Sequence, residues 1–227
     1  MNRSFTPEEL LGPLNQAERK HAPKELFVAG DTTLFEILPR VAVVGTRKAS
    51  PAGLKRAAKL ARLLAERQVI VVSGLADGID TAAHTAAIQA GGRTIAVIGT
   101  PLDQAYPKSN SALQDTIARD HAVLSQFPTG YPVSRRSFPM RNATMALIVS
   151  ASVIVEAGET SGALSQGWET LRLGRLLFIM ESVFNVPGLK WPEEMLQYGA
   201  QRLSDDNFDA FLSVLPLGRA TSDAIAL

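Results

Sequence analysis

The chain has no cysteine in its 227 residues. That excludes disulfides, thiol nucleophiles and cysteine-ligated zinc. It has almost no excess of charge: 23 Lys and Arg against 22 Asp and Glu leave +1, so the global balance points to no polyanionic partner. Long hydrophobic runs are missing too. The longest uncharged stretch, Asn142 to Val155, is 14 residues with Ser and Thr inside it, too short to cross a bilayer. The opening MNRSFTPEEL carries no apolar segment behind its charges, unlike a secretory signal. Histidine is scarce, and His21, His84 and His121 show neither ligand nor relay spacing. HExxH, GxSxG and GxxxxGK[ST] are absent, and the run at Gly45 (GTRKASPAG) is not a GxGxxG fingerprint. Metalloprotease, serine hydrolase, P-loop and NAD readings lose their main support. The expectation is a cytoplasmic chain with no metal, no cofactor, no membrane segment and no catalysis.

What is present is an alternating pattern. Runs rich in Val and Ile fall at 26–29, 41–44, 69–73, 94–98, 122–124, 152–155 and 176–180. Runs apolar on both faces indicate strands covered on both sides. Helix-period stretches lie between them at 51–67, 81–90, 110–119, 140–150 and 163–173. Ser50 suits the N-cap of the first, with Pro51 at its first position, and Asp80 suits the N-cap of the second. The fold class expected is α/β, a doubly wound and mostly parallel sheet. Residues 1–22 read as a polar lead-in, 23–202 as the domain, and 203–227 as a tail.

In such a sheet ligands bind beyond the carboxyl ends of the strands. Four of the five strand ends there are followed within five residues by glycine: Gly45-Thr46-Arg47-Lys48, Gly74-Leu75-Ala76-Asp77-Gly78, Gly99-Thr100 and Glu156-Ala157-Gly158. Glycine admits a backbone N–H close to an anion, and a helix N-terminus adds partial positive charge. Charge is also unevenly spread. From Ile37 to Ala65, and again from His121 to Val155, there is no acidic residue, while Arg47, Lys48, Arg135, Arg136 and Arg141 fall in those stretches. Arg47 and Arg141 sit beside the glycines, and Phe138 sits among the arginines, where an aromatic can stack a base. Lys55, Lys59 and Arg62, at helical spacing, read as a solvated face.

The segments GTRKASPAG, VVSGLADGIDTAAH, GGRTIAVIGTPLDQAYPKSN, FPMRN and VIVEAGETSGAL together resemble the DNA-processing protein A family, DprA or Smf. The resemblance runs from about Pro23 to Ala200. It implies an extended Rossmann-like fold that binds single-stranded DNA as a homodimer and helps load a RecA-type recombinase during DNA recombination, competence and transformation. It implies a DNA-binding pocket made by Gly45, Thr46, Arg47, Lys48, Ser73, Gly74, Phe138, Arg141, Asn142, Ser161 and Gly162. Ala143 replaces a basic residue usual in the family. The family's N-terminal helical and C-terminal winged-helix domains are expected to be missing. Two other readings remain open: a nucleotide sensor or phosphoribohydrolase-like enzyme on a related fold, working through the Glu156–Gly162 turn, and a scaffold using its acidic 193–209 stretch.

Overall fold

The computed structural model describes residues 3–216 and 218–219. Ten strands carry the framework: β1 (Arg3–Phe5), β2 (Leu26–Gly30), β3 (Ile37–Leu38), β4 (Arg40–Gly45), β5 (Ile70–Ser73), β6 (Thr94–Ile98), β7 (Ala122–Ser125), β8 (Ala151–Glu156), β9 (Leu176–Met180) and β10 (Gln201–Leu203). Nine of them form one sheet in the order β1-β2-β7-β6-β5-β4-β8-β9-β10, and β3 pairs separately with a short β11 (Gly218–Arg219). From β7 to β10 every pairing is parallel; β1 and β2 add antiparallel edges. The doubly wound, mostly parallel α/β sheet expected from the sequence is what forms.

Side chains alternate across a strand, and β4 uses both faces. Val41 and Val43 pack with Ala57, Leu60, Ala61 and Leu64 of α3 (Pro51–Glu66) and Ile79 and Ala83 of α4 (Ile79–Gln89). Ala42 and Val44 face the other layer, with Met145 and Leu147 of α6 (Ser137–Ile148) and Ala163 of α7 (Gly162–Arg172). Helix α3 forms as its sequence dictates. The Ser50 hydroxyl accepts from the Gly53 N–H at 2.9 Å, and Pro51 opens the first turn, where no amide donor is needed. Leu60 and Leu64 are almost fully buried, each worth about 1.5–3 kcal/mol of apolar transfer. β5, β6 and β7 extend the sheet one way from β4, while β8, β9 and β10 extend it the other. The strand order therefore reverses between β4 and β8, where such sheets open a crevice.

Several boundaries differ from the sequence reading. The lead-in supplies β1 and two short capped helices, α1 (Pro7–Leu11) and α2 (Gln16–His21), on the same sheet and core. After α5 (Ser111–Asp120), α8 (Glu181–Phe184) and α9 (Trp191–Gln197), part of the expected tail becomes α10 (Phe208–Ser213). Its Phe211 packs edge-on against Phe178 at 4.7 Å. Of the rest of that tail, 217 and 220–227 lie outside the described residues. Helix α6 starts at Ser137 rather than 140, because Pro139 is tolerated in a first turn. Asp80 is not the N-cap of α4: Gly78 is, at φ 79°, and Asp80 turns into the interior from the first turn.

His84 is structural. It is fully buried, its Nδ1 lies 2.7 Å from the Thr94 hydroxyl, and that hydroxyl donates to the Val71 carbonyl. Nδ1 therefore carries the proton and the ring is neutral. Burial holds its pKa down at about 3. The unfolded chain takes up this proton near pH 6.5 while the folded chain does not, so stability falls as pH drops from about 6.5 toward 3. Between pH 6.5 and 5 the parent is expected to lose up to about 2 kcal/mol that a His84→Gln variant keeps. Urea unfolding at the two pH values checks this; equal losses in both proteins would refute it.

Candidate nucleic-acid interface

A cleft of about 370 Å³ opens at the strand-order reversal. Its lining comes from the loop after β4 (Gly45, Thr46, Arg47, Lys48), the start of α6 (Phe138, Arg141, Asn142) and the turn into α7 (Gly158, Ser161, Gly162). Three chain segments distant in sequence thus meet at the carboxyl ends of β4 and β8.

Two loops interlock to build the β4 side. The Thr46 N–H donates to the Glu156 carbonyl at 2.7 Å, and the Lys48 N–H donates to the Thr46 hydroxyl at 3.2 Å. Gly78 packs against this turn so closely that a Cβ there would lie 2.5 Å from the Thr46 carbonyl oxygen. The loop ahead of α4 holds Leu75 at φ 59°, a conformation that costs a non-glycine residue about 1–3 kcal/mol. The buried Asn110 amide stabilises it, donating to the Leu75 carbonyl and the Thr81 hydroxyl, both at 2.9 Å.

Arg47 is exposed, and its guanidinium lies 5.2 Å from the centre of the Phe138 ring and 5.9 Å from that of Tyr106. The two rings are themselves 5.3 Å apart. Phe138 is half-buried, lying over Gly99, where a Cβ would fall 2.8 Å from the ring. It is a cleft wall with an open side rather than a core residue. On the far side, the Ser161 hydroxyl accepts from the Ala163 N–H at 3.3 Å and starts α7. The Asn142 amide donates to the Gly162 carbonyl at 3.1 Å, tying α6 to that turn. The first turn of α7 lines the cleft, and the partial positive charge of a helix N-terminus suits an anion.

Three sequence expectations are corrected here. Ser73 does not line the cleft: it is fully buried and donates to the Val43 carbonyl at 2.7 Å. Gly74 does not line it either, and its lack of a side chain serves another purpose. A Cβ on Gly74 would lie 1.3 Å from Arg141 Nη1; the glycine makes room for that guanidinium. Arg141 is only 6% exposed, donates to the Val97 carbonyl at 3.3 Å, and stands 4.0 Å from Asp80. Its charge is spent inward, on the cleft floor, and not on a ligand at a helix N-terminus. Burial pulls Arg141 down from its usual pKa, with Asp80 opposing, and pushes Asp80 up, with Arg141 opposing.

The carboxylates that an enzyme reading would need are committed. Glu156 accepts from the Ser50 N–H and hydroxyl, each at 2.7 Å, and from Arg56 at 3.0 Å. Glu159 accepts from the Lys190 N–H at the far end of the turn. The cations divide in two groups. Arg56, Lys59 and Arg67 have carboxylate partners. Arg47 and Lys48, on the cleft, and Arg135 and Arg136, just ahead of α6, are exposed and, among the described residues, have none. Also among the described residues, no helix is long and apolar enough to cross a membrane.

Residues 6–214 match the family model described as DNA recombination-mediator protein A. The chain belongs to that family. It is 44% identical over 176 residues to the DNA processing protein DprA of Streptococcus pneumoniae, covering 78% of this chain and 60% of that one. A crystal structure of DprA from the same organism superposes with a TM-score of 0.81 at 36% identity, covering 95% of this chain and 75% of that one. DNA processing protein A from Helicobacter pylori, whose structure was described for its single-stranded DNA binding mode, gives 0.78 at 28% identity, covering 93% and 95%. The chain spans less than two thirds of the length of the pneumococcal relative, and about half of some others.

Sequence reasoning within this family pattern missed Tyr106 and gave Asp80 the wrong place. A tyrosine directly before Pro107, in the loop after a strand end, was the available signal for the first. The Arg141–Asp80 pair also generates a prediction. Removing one partner of a buried pair strands the other charge, at a cost of about 3–5 kcal/mol. Arg141→Ala should therefore lower the melting temperature strongly, while the double variant Arg141→Ala/Asp80→Ala should recover part of that loss. A melting-curve cycle over the four proteins measures it; additive losses would show that the two groups do not depend on each other.

Proposed function

We propose that the cleft binds single-stranded DNA through its phosphates and stacks a base on its aromatic wall, without catalysis. The observation that carries this reading is the exposed Arg47 guanidinium, free of carboxylates and set 5.2 Å from Phe138, in the cleft that the first turn of α7 also lines. A guanidinium can grip a phosphate bidentately, and unstacked bases need a ring face. Membership of the family, and the DNA-binding neighbour from Helicobacter pylori, support the polymer over a mononucleotide. The engagement of Glu156 and Glu159 in structural hydrogen bonds supports binding over turnover. Homodimer assembly, delivery of the strand to a RecA-type recombinase and a cytoplasmic location complete the proposal. They rest on the family resemblance, and sedimentation together with recombinase filament assays tests the first two.

The salt dependence of binding to a labelled dT oligonucleotide separates the roles. Affinity should fall with salt at about −0.7 in log–log slope for each phosphate neutralised on single strands. Arg47→Ala should flatten that slope by about one phosphate's worth and weaken all sequences alike. Phe138→Ala should weaken binding by about 1–3 kcal/mol with the slope unchanged, because stacking releases no counterion. A flat salt response in the parent would remove the reading.

A further inference from the structure

The opposite, amino-terminal edge of the sheet holds a second cluster of polar groups. Arg40 opens β4, Ser150 stands just before β8, and Arg175 just before β9. The three strands are parallel neighbours, so the three residues lie side by side. They line a cavity of about 40 Å³ that Leu14 and Glu18 of the amino-terminal segment help to close.

The charges inside do not balance among the described residues. Arg40 is only 4% exposed, and its guanidinium donates to the carbonyls of Ile148 at 2.5 Å, Phe35 at 2.6 Å and Ile37 at 2.9 Å. All three acceptors are neutral. Arg175 pairs with Glu18, whose other oxygen accepts from the Asn15 N–H at 2.8 Å. Two guanidiniums against one carboxylate leave a net charge of +1. Two donors are also left over: the hydroxyl of Ser150, which is 7% exposed, and Arg175 Nε, both buried without a partner. Buried charges are ordinarily paired, and buried donors bonded. Burial, then the Arg175 charge, pulls Arg40 down to about 10, as expected for a cation lacking a counter-ion.

We propose that this cavity binds a small monovalent anion of chloride size, held by Arg40 and Arg175 with the Ser150 hydroxyl donating. The cavity has room for a small ion beside the two guanidiniums. One negative charge cancels the excess. The bound ion would join the starts of three central strands to the amino-terminal segment through Glu18 and Arg175. This site is on the other edge of the sheet from the cleft and does not depend on the DNA reading.

Thermal unfolding in chloride and in gluconate at one ionic strength tests it, with the parent and a Ser150→Val variant. The parent should melt higher in chloride, saturably, by about 3–6 °C at ten times the dissociation constant. The variant should lose most of that difference. The same chloride-minus-gluconate difference in both proteins would overturn the proposal. Should Ser150→Val fail to fold, bromide-soaked crystals of the parent decide: an anomalous peak between the two guanidiniums supports the site, and its absence overturns it.

Discussion

The cleft depends on one buried cation placed where a glycine leaves space. Arg141 reaches from α6 across the end of β6, donates to Val97, and fills the volume that a side chain on Gly74 would take. Asp80, from the first turn of α4, offsets its charge at 4.0 Å and accepts from the Ala76 N–H at 3.3 Å. One guanidinium thus bonds the loop after β5, the end of β6, α4 and α6 into a single floor. Such a pair contributes little net stability compared with an apolar filling. It does fix where α6 begins, and that places Phe138 and Asn142 on the rim.

Above the floor the residues divide their work by exposure. Glu156 organises Ser50 and Arg56 and so sets the entry into α3. Asn142 links α6 to the α7 turn. These contacts shape the site. Arg47 and Lys48 keep their bonding capacity for a ligand. The near-neutral chain carries a basic rim because acids elsewhere pair off three of the four cations of α3, as Asp205 does for Lys59. Net charge therefore said nothing about the partner, whereas the distribution of pairing does.

The strands were legible because Val and Ile runs bounded by glycine can satisfy little else. The start of α3 was legible because Ser50 and Pro51 are local signals. What failed was direction. A sequence shows that Arg141 is charged but not that it turns inward, and shows Gly74 at a strand end but not that a guanidinium occupies its missing side chain. Asp80 has the composition of a cap, yet Gly78 ends the loop two residues earlier in a left-handed conformation, and the carboxylate is drawn to Arg141. Tyr106 meets Phe138 from a loop whose end, Asn110, is tied to Leu75, far along the chain. The three-residue β1 carried too little pattern to be seen as an edge strand. Contacts set by tertiary packing leave no periodic trace.

Photocross-linking locates the bound strand most directly. An oligonucleotide carrying 5-iododeoxyuridine reacts with aromatic side chains that its bases stack upon, and peptide mapping then identifies them. The account predicts adducts on the peptides that contain Tyr106 and Phe138, the rings flanking Arg47 at 5.9 and 5.2 Å. Adducts confined to another surface, such as the Trp168–Tyr198 pair on α7 and the end of α9, would contradict it.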